Sequence, residues 1–508
     1  MKILFAASEC VPFVKTGGLA DVIGALPQEL IRLGHDVRVI LPKYAVMGNE
    51  YTSELTHVCD FTVPLGWRSQ YCGIETLLHK NVRFYFVDNE FYFGRSYIYG
   101  SFNNDEAERF AFFSKVILEA MPHIGFFPDV LHVNDWQTGL CPALMKLKYM
   151  MLPDYRGVKT VMTIHNLCFQ GTFAWDFVDE LLSLGSENFT SDKLEYHGSI
   201  SFLKAGLVYA DAVTTVSPTY AEEIQTETYG CGLEGLLRSR SNVLTGILNG
   251  IDKKEYNPER DDSLAAGFSY KDLSGKLLCK AALQREMELD IDLSVPIVAI
   301  VARLASQKGI DLVERVLTEM MEKNIQLCVL GRGETRYEQL FSWAAWRYPG
   351  KVSARYVLDQ ALAKRIYAGA DMFLMPSEFE PCGLSQLIAM RYGTLPIVRE
   401  TGGLKDTVKP YNKYTDEGTG FSFANYNAHE MLFTVERAAK LYREDHAAWE
   451  RMMVRAMRKN LSWDSSAKRY QKLYESINPA SAPALEPNPT YGPRVGRTKK
   501  PTASKDIE

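Results

Sequence analysis

The chain lacks the features that mark a secreted or membrane protein. Its nine cysteines are an odd number and none stand in a C-x-x-C pair, which argues against a disulfide framework or a zinc knuckle and favours a reducing compartment. No apolar run is long enough to span a membrane. The apolar run at residues 3–7 is too short for a signal peptide. We therefore expect a cytoplasmic protein without a membrane partner, and the lack of a transit-like segment favours a bacterial source.

A strongly basic block is also missing before the C-terminal tail. The formal net charge is -5, so no nucleic-acid partner is expected. What is present is an ordinary globular composition, with 46% apolar and 23% charged residues. The length of 508 residues is too great for one hydrophobic core and predicts two or more domains.

One hexapeptide occurs twice in nearly the same form. Thr-Gly-Gly-Leu-Ala-Asp begins at Thr16, and Thr-Gly-Gly-Leu-Lys-Asp begins at Thr401. Each copy follows an apolar strand-like run and opens a predicted helix. Glycines at such a turn let backbone N–H groups approach an anion, and the helix N-terminus adds partial positive charge. The echo suggests two similar α/β lobes that share a charged ligand, and two ordinary strand-to-helix turns are the alternative.

Apolar strand-like runs alternate with longer amphipathic stretches through both halves of the chain. This alternation predicts parallel sheets with helices on both faces. The segment 250–262 is polar and rich in turn-forming residues, and it is predicted to link the lobes. The predicted strands are 2–8, 36–41, 82–87, 130–133, 159–164, 212–216, 296–302, 326–330, 371–375 and 395–398. The predicted helices include 19–33, 106–121, 406–408 and 428–442.

Several polar residues stand where predicted strands end, the edge at which open α/β sheets bind ligands. Arg303 and Lys308 flank one such turn and together could hold a diphosphate. Lys15, directly before the first glycine turn, would place an ammonium beside the same anion. Glu380 follows another strand, and a carboxylate there can bind sugar hydroxyls or balance an oxocarbenium charge. Solvent-facing charges are the alternative at each position.

His165 and the Asp135-Trp136 pair end two strands of the first half. A histidine there can bind a sugar or a backbone carbonyl, and a structural histidine is the alternative. Asp290-Ile291-Asp292 resembles a metal-binding D-x-D, but its place before a strand makes it a polar loop. Gly331-Arg332-Gly333 lacks the third glycine of a dinucleotide-binding fingerprint.

Taken in order, these motifs resemble the bacterial and plant starch and glycogen synthase family, over nearly the whole chain to about residue 477. The resemblance is carried by KTGGLADV from Lys15, DEAERF from Asp105, HVNDW from His132, TIHN from Thr163, LNGID from Leu248, RL and QKG between Arg303 and Gly309, FEPCGL from Phe379 and TGGL from Thr401.

The resemblance implies an α/β fold of two doubly wound Rossmann-like lobes around a cleft, the GT-B type. It implies a first lobe over 1–255, a second over 256–460, and a C-terminal helix over 461–477 that crosses back to the first lobe. Beyond residue 477 the composition shifts to Pro, Ala, Ser, Lys and Asn, which predicts a disordered tail over 478–508. The implied reaction moves glucose from ADP-glucose to the non-reducing end of glycogen or another α-1,4-glucan with retention, without cofactor or metal.

The resemblance also assigns site residues by motif. The catalytic positions it implies are His165, Arg303, Lys308 and Glu380. The donor contacts are Lys15, Gly17, Gly18, Asn249, Cys382, Gly383, Leu384, Thr401, Gly402 and Gly403. The acceptor contacts are Glu9, Asp21, Tyr99 and Asp135.

The chain departs from related patterns at two positions. Ile388 stands where many other two-lobed transferases carry a second glutamate, as is usual in this family. Leu358 stands where the family often has an aromatic residue near the adenine, and Tyr356 is two residues away. A transferase with a small acceptor, of the sucrose or trehalose synthase type, and a non-catalytic sugar-binding protein stay open as alternatives. The sequence gives no oligomeric state.

Overall fold

Two separate sheets organise the chain, one mostly parallel and one wholly parallel. The computed structural model describes residues 1–101 and 103–478. The predicted disordered tail therefore lies outside the described residues, except for Asn478. Within the described part of the chain, no helix is both long and apolar enough to cross a membrane.

The first sheet has nine strands in the order β12-β11-β7-β6-β1-β2-β5-β4-β3. Its strands pair in parallel except β3–β4 and β4–β5, which are antiparallel. A small three-stranded antiparallel sheet, β8-β10-β9, lies beside it. The strands are β1 Lys2–Ala6, β2 Asp36–Pro42, β3 Thr56–Leu65, β4 Arg68–His79, β5 Val82–Asp88, β6 Val130–Asn134, β7 Lys159–Ile164, β8 Thr172–Ala174, β9 Glu195–Tyr196, β10 Ser199–Ser201, β11 Ala212–Thr215 and β12 Leu244–Gly246.

Helices cover this sheet, so its central strands are buried, as the run Ile3 to Ala6 shows. Helix α1 follows the first glycine turn and buries one apolar stripe, whereas its other face carries charged residues. The helices of the first lobe are α1 Gly18–Arg32, α2 Asn49–Thr52, α3 Glu90–Phe93, α4 Asn104–His123, α5 Leu140–Leu147, α6 Trp175–Leu182, α7 Phe202–Tyr209, α8 Pro218–Glu223 and α9 Glu234–Ser239.

The second sheet has six strands, all paired in parallel, in the order β15-β14-β13-β16-β17-β18. This is the doubly wound order, with a switch point between β13 and β16. The strands are β13 Ile297–Val301, β14 Gln326–Leu330, β15 Val352–Arg355, β16 Met372–Met375, β17 Leu395–Arg399 and β18 Phe421–Phe423. The helices are α10 Ser274–Glu286, α11 Ile310–Met321, α12 Thr335–Arg347, α13 Gln360–Gly369, α14 Ser385–Arg391, α15 Gly402–Thr407, α16 Ala428–Glu444, α17 His446–Arg458 and α18 Trp463–Ile477.

The last helix returns to the first sheet. The first hydrophobic core includes Trp463, Tyr470 and Tyr474 of α18. Leu461, two residues before Trp463, belongs to the second core. The Tyr474 hydroxyl lies 2.7 Å from Nδ1 of buried His132 on β6. This contact fastens α18 to β6 in the first sheet.

The two connections between the lobes run side by side. The amide of Ile251 donates to the Leu461 carbonyl at 2.8 Å, and Ile251 bridges to Ser462 in parallel. A side chain at Gly250 would come within 2.5 Å of the Ser462–Trp463 backbone, so glycine permits this close approach.

Candidate active site

The polar residues singled out in the sequence lie at the carboxyl ends of strands in both lobes. In the first lobe they follow β1, β6 and β7, whereas in the second they follow β13, β16 and β17. These six strands neighbour one another within their own sheets, so each lobe presents its polar groups at one edge.

A buried carboxylate occupies the first glycine turn. Glu9 accepts hydrogen bonds from the Thr16 amide, from the Thr16 hydroxyl at 2.9 Å and from the Gly17 amide at 3.2 Å. Burial raises the Glu9 pKa, and those hydrogen bonds oppose the shift. Lys15 pairs with Asp21 on α1 at 2.8 Å. The Gly17 N–H group is therefore engaged by the protein's own carboxylate in this structure.

The second glycine turn is more crowded than the first. A Cβ on Gly402 would lie 2.1 Å from the Glu380 carbonyl oxygen, and one on Gly403 would lie 2.2 Å from that of Cys382. No such clash arises at Gly17 or Gly18, where the nearest atom to a Cβ is Glu9 Oε1 at 3.6 Å from that of Gly17. The glycines of the second copy are thus required by packing against the Glu380 loop.

Glu223 of α8 reaches this second turn from the first lobe. Its carboxylate accepts from the Gly402 amide at 3.0 and 3.1 Å and from the Thr401 hydroxyl at 3.0 Å. Both glycine turns therefore hold a carboxylate where an anion was expected. Sequence reasoning missed Glu223, because a glutamate at the end of a short helix carries no local signal of a contact 179 residues away.

Lys308 and Glu380 form a direct ion pair in the second lobe. Lys308 Nζ lies 2.6 Å from Glu380 Oε2, which also accepts from the Ser377 hydroxyl at 3.2 Å. The turn before Lys308 packs on the Glu380 loop at Gly309, where a Cβ would meet the Pro376 carbonyl oxygen at 2.1 Å. Gly309 also has a positive φ of 74°, so glycine is favoured there on both grounds.

Arg303 stands apart from that pair. It is exposed, and its guanidinium donates to Gln307 at 3.1 Å within the same turn. Arg303 and Lys308 both lie on the turn after β13, but their side chains bind different partners, Gln307 and Glu380. The arrangement leaves an exposed guanidinium beside a half-buried ammonium.

His165 is held at the end of β7 by two neighbours. Its amide donates to Asp135 at 2.7 Å, and its Nε2 lies 2.9 Å from Asn134 Oδ1. The Asn134 amide nitrogen donates to the Ala6 carbonyl, which fixes Oδ1 as the atom that faces the imidazole. Because an amide oxygen only accepts, His165 carries its proton on Nε2 and presents Nδ1 as an acceptor.

Burial sets the charge state of this cluster. It lowers the pKa of His165 to about 3, so the ring is neutral at pH 7. It raises the pKa of Asp135 to about 7, against the hydrogen bonds from the amides of His165 and Asn166. Asp135 has a φ of 54°, an uncommon conformation for an aspartate that places it at the strand end.

The expected acceptor residues lie near one another in the first lobe. The Tyr99 hydroxyl lies 2.7 Å from the hydroxyl of Ser8, which follows β1. Burial raises the Tyr99 pKa well above its usual value, with a further contribution from nearby Glu9. Glu9 also raises the Asp135 pKa electrostatically. These contacts group Glu9, Tyr99 and Asp135 around the ends of β1 and β6.

Asn249 joins the lobes at the expected donor site. Its amide donates to the Cys382 sulfur, whose pKa burial raises to about 12. The buried Asn249 Oδ1 has no hydrogen-bond partner among the described residues. Gly383 has a φ of 72°, and Leu384 directly precedes α14. A buried acceptor without a partner at a lobe junction is free to accept one further hydrogen bond.

Three residues without an assigned role in the site, Asp292, Leu358 and Tyr356, lie in loops. Asp292 accepts from the Ser294 amide and hydroxyl, which closes a turn before β13. Leu358 is 91% exposed, and the Tyr356 hydroxyl donates to the Glu338 carbonyl. Across the described residues, no group of three or more His, Cys, Asp or Glu side chains is arranged to hold a metal ion.

Both halves of the chain match known family models. Residues 2–239 match the starch synthase catalytic domain, and residues 286–452 match the glycosyl transferases group 1. A glycogen synthase of Geobacillus thermodenitrificans is 54% identical over 477 residues, which cover 94% of this chain and 98% of that one. A glycogen synthase of Clostridium novyi is 52% identical, with coverage of 94% and 99%.

The chain belongs to the starch and glycogen synthase family. It is a retaining glycosyltransferase of the GT-B fold that uses a nucleotide-sugar donor and a glucan acceptor. Among solved structures, it is similar to the catalytic domain of starch synthase IV from Arabidopsis thaliana bound to ADP and acarbose, with a TM-score of 0.87, 31% identity and coverage of 94% and 99%. A sucrose-phosphate synthase from Thermosynechococcus elongatus shares the fold alone, with a TM-score of 0.61, 17% identity and coverage of 94% and 100%.

Proposed function

We propose that this member of the family transfers glucose from ADP-glucose to the 4-hydroxyl at the non-reducing end of glycogen, with retention at the anomeric carbon. The observation that carries the proposal is the junction at Asn249 and Cys382. There the buried amide oxygen of Asn249 lacks a partner in the described structure. The Asn249 backbone amide contacts Cys382, which lies two residues from Glu380 of the Lys308–Glu380 pair. A hexose offers the hydroxyl donors that such an oxygen and a carboxylate accept.

Arg303 and Lys308 act on the leaving group. Cleavage of the anomeric C–O bond builds negative charge on the diphosphate, and fixed cations stabilise that charge more in the transition state than in the ground state. The exposed guanidinium of Arg303 is supported in this role by its position after β13, at the switch point of the second sheet. Lys15, Gly17 and Gly18 contact the donor from the first glycine turn, and Thr401, Gly402 and Gly403 contact it from the second.

His165, Glu380 and Asn249 hold the transferred glucose. The neutral ring of His165 offers Nδ1 to the 6-hydroxyl, whereas the carboxylate of Glu380 accepts from the 3- and 4-hydroxyls. No carboxylate is assigned as nucleophile. The acceptor hydroxyl attacks from the same face that the diphosphate leaves, and a phosphate oxygen takes its proton. Gly383 and Leu384 complete the donor side.

The glucan acceptor binds in the first lobe at Glu9, Asp21, Tyr99 and Asp135. The division proposed for the chain is 1–255 for this lobe, 256–460 for the donor lobe and 461–477 for the returning helix. Two separate hydrophobic cores support the division, because the first includes Ile247 and the second begins at Ile251. A bacterial cytoplasm stays the predicted location, and the bacterial source of the two glycogen synthases supports a bacterial origin.

The test is incorporation of radiolabelled glucose. Purified full-length chain is given labelled ADP-glucose with glycogen, fructose or glucose 6-phosphate, in the presence of EDTA because the proposal includes no metal. Label in precipitable glucan together with released ADP is expected only with glycogen. Transfer to fructose or glucose 6-phosphate would establish a small-acceptor transferase instead. Binding of glucan without nucleotide release would establish a sugar-binding protein. Labelled UDP-glucose in parallel measures donor choice.

A further inference from the structure

Two exposed cysteines face each other beside the candidate active site. Cys168 lies in the loop after β7, and Cys231 lies in the loop between α8 and α9. Their sulfur atoms are 3.2 Å apart. All nine cysteines of the chain fall within the described residues, and these two are the exposed ones. Neither has a part in the glycosyl transfer proposed above.

The protein holds both loops in place. The Cys231 carbonyl accepts from Gln170 Nε2 at 2.8 Å and from the Tyr196 hydroxyl at 3.0 Å. The Cys168 amide donates to Asn166 at 3.1 Å. Cys231 has a φ of 49°, a left-handed conformation that an ordinary side chain adopts only when its surroundings impose it. The two thiols are therefore brought together by the fold rather than by chance rotation of free side chains.

We propose that Cys168 and Cys231 are a modification site that a peroxide oxidises to a reversible intramolecular disulfide. A disulfide requires the sulfurs to approach to about 2 Å, so they need to move together by only about 1 Å. That displacement is within the reach of two exposed loops.

The chemistry balances with hydrogen peroxide as the oxidant. The Cys231 thiolate attacks one peroxide oxygen, the O–O bond breaks, and the departing hydroxide takes a proton to become water. The Cys168 thiol then gives up its proton and its sulfur attacks the sulfur of the resulting sulfenic acid. The S–O bond breaks, and the leaving hydroxide takes that proton and departs as a second water. Two thiols and one peroxide thus give one disulfide and two waters, and a dithiol reductant reverses the change.

The electrostatics favour Cys231 as the attacking thiol. A hydrogen bond from the Cys168 thiol lowers the Cys231 pKa to about 7, so about half of it is thiolate at neutral pH. Other cysteines are less reactive, since burial raises the pKa of Cys141, Cys328 and Cys382 to about 12. The pair is thus the preferred target even with Cys382 in the candidate donor site.

The disulfide would act on the active site through short connections. Cys168 is three residues from His165, and the intervening Leu167 amide donates to the Tyr220 hydroxyl on α8. Tyr229, in the loop of Cys231, accepts from Arg399 of the second lobe at 3.0 Å. Closing the sulfurs pulls these two segments together. Because a displacement of about 1 Å at a reacting group can cost up to about a hundredfold in rate, we expect oxidation to lower turnover about tenfold.

The first readout is covalent and does not depend on glycosyl transfer. Full-length reduced protein is treated with hydrogen peroxide, blocked with N-ethylmaleimide and digested without reductant. Mass spectrometry is expected to show one cross-linked peptide pair holding Cys168 and Cys231, lighter by two hydrogen atoms and lost on dithiothreitol treatment. Cys59→Ser, which changes a half-buried thiol on β3, is the control that keeps the cross-link.

The second readout is turnover before oxidation, after it and after reduction. Wild type is expected to lose about tenfold and recover with dithiothreitol. The double variant Cys168→Ser with Cys231→Ser is expected to keep its basal turnover under peroxide. Absence of the cross-link, a cross-link between other cysteines, or equal peroxide inactivation of the double variant would overturn the proposal. If peroxide forms the Cys168–Cys231 cross-link but the reduced wild type shows no glycosyl transfer, the modification site stands and the proposed function is overturned.

Discussion

At the scale of single residues, the positive charges proposed to stabilise the leaving diphosphate are those of Arg303 and of Lys308, which is paired with Glu380. Lys308→Ala and Arg303→Ala are each expected to lower turnover by about a hundredfold to a thousandfold, as for other preorganised charge stabilisers. The fold is expected to survive, because Arg303 is exposed and Lys308 bonds only at its tip. Steady-state kinetics with circular dichroism measures both. Lys323→Ala, at a surface ion pair of the same lobe, is the matched control. Near-normal turnover in both variants would remove the diphosphate role.

Glu380 separates donor from acceptor binding. Glu380→Gln keeps the shape of the side chain but loses the charge that faces Lys308, so turnover is expected to fall while glycogen affinity is unchanged. Kinetics and a glycogen co-sedimentation assay give the two quantities, with exposed Glu400→Gln as control. A variant that loses glycogen affinity but keeps its turnover would move Glu380 to the acceptor side.

Buried His132 predicts how stability depends on pH. Burial lowers its pKa from 6.5 to about 3, so the folded state excludes a proton that the unfolded chain binds. Its contribution to the free energy of unfolding is complete above pH 6.5 and is lost as the pH falls toward about 3, at up to about 1.4 kcal/mol per pH unit. Urea unfolding between about pH 4 and pH 8 is expected to show a shallower acid slope in His132→Gln than in wild type. Exposed His446→Gln is the control, and equal slopes in His132→Gln and wild type would contradict the prediction.

Most residues of the candidate site stand in motifs that the sequence shows, such as His165 and Glu380 at strand ends. Asn134 lies inside one of those motifs but was not singled out, because only the structure shows that it fixes the proton of His165. Glu223 was beyond reach, since its role depends on a contact between lobes. Local sequence thus predicts which strand ends carry polar side chains, whereas the pairs that set charge depend on tertiary contacts.

At the scale of elements, α8 and α15 meet across the lobes. Glu223 at the end of α8 accepts from the Gly402 amide at the start of α15, the group proposed to bind the donor diphosphate. The two anions compete for one N–H group, so Glu223→Ala is expected to bind ADP more tightly, by about threefold to tenfold. Isothermal titration calorimetry measures the affinity of each variant for ADP. Glu222→Ala, an exposed neighbour on the same helix, is the control. Weaker ADP binding in Glu223→Ala would show that this contact supports the site.

The elements predicted best are the buried parallel strands. β7 and β14 run over the residues expected, because continuous apolar runs bounded by polar residues mark a strand buried on both faces. The β3–β4 hairpin was not predicted, since β3 is mostly exposed and shows no such run. The helix that holds Asp406 ends at Thr407. Val408, which the sequence places in that helix, has extended backbone instead.

At the scale of the whole molecule, the proposed site draws on both lobes. Lys15 lies in the first, and Lys308 in the second, so a complete site needs both lobes at once. ADP with a maltooligosaccharide is expected to favour the closed form and reduce the radius of gyration in small-angle scattering. Bound ligand is confirmed by calorimetry in the same buffer. An unchanged profile with both ligands bound would indicate a preformed site.

The two connections between the lobes, at Gly250 and at Ser462, determine which relative motions of the lobes are possible. A single connecting segment would allow the lobes to bend, twist and slide. Two adjacent segments, held together by the Ile251–Leu461 hydrogen bond, resist twisting about either one and leave bending about a common axis. If the lobes close as predicted, each closure is expected to follow the same path and to bring residues far apart in sequence into the same alignment.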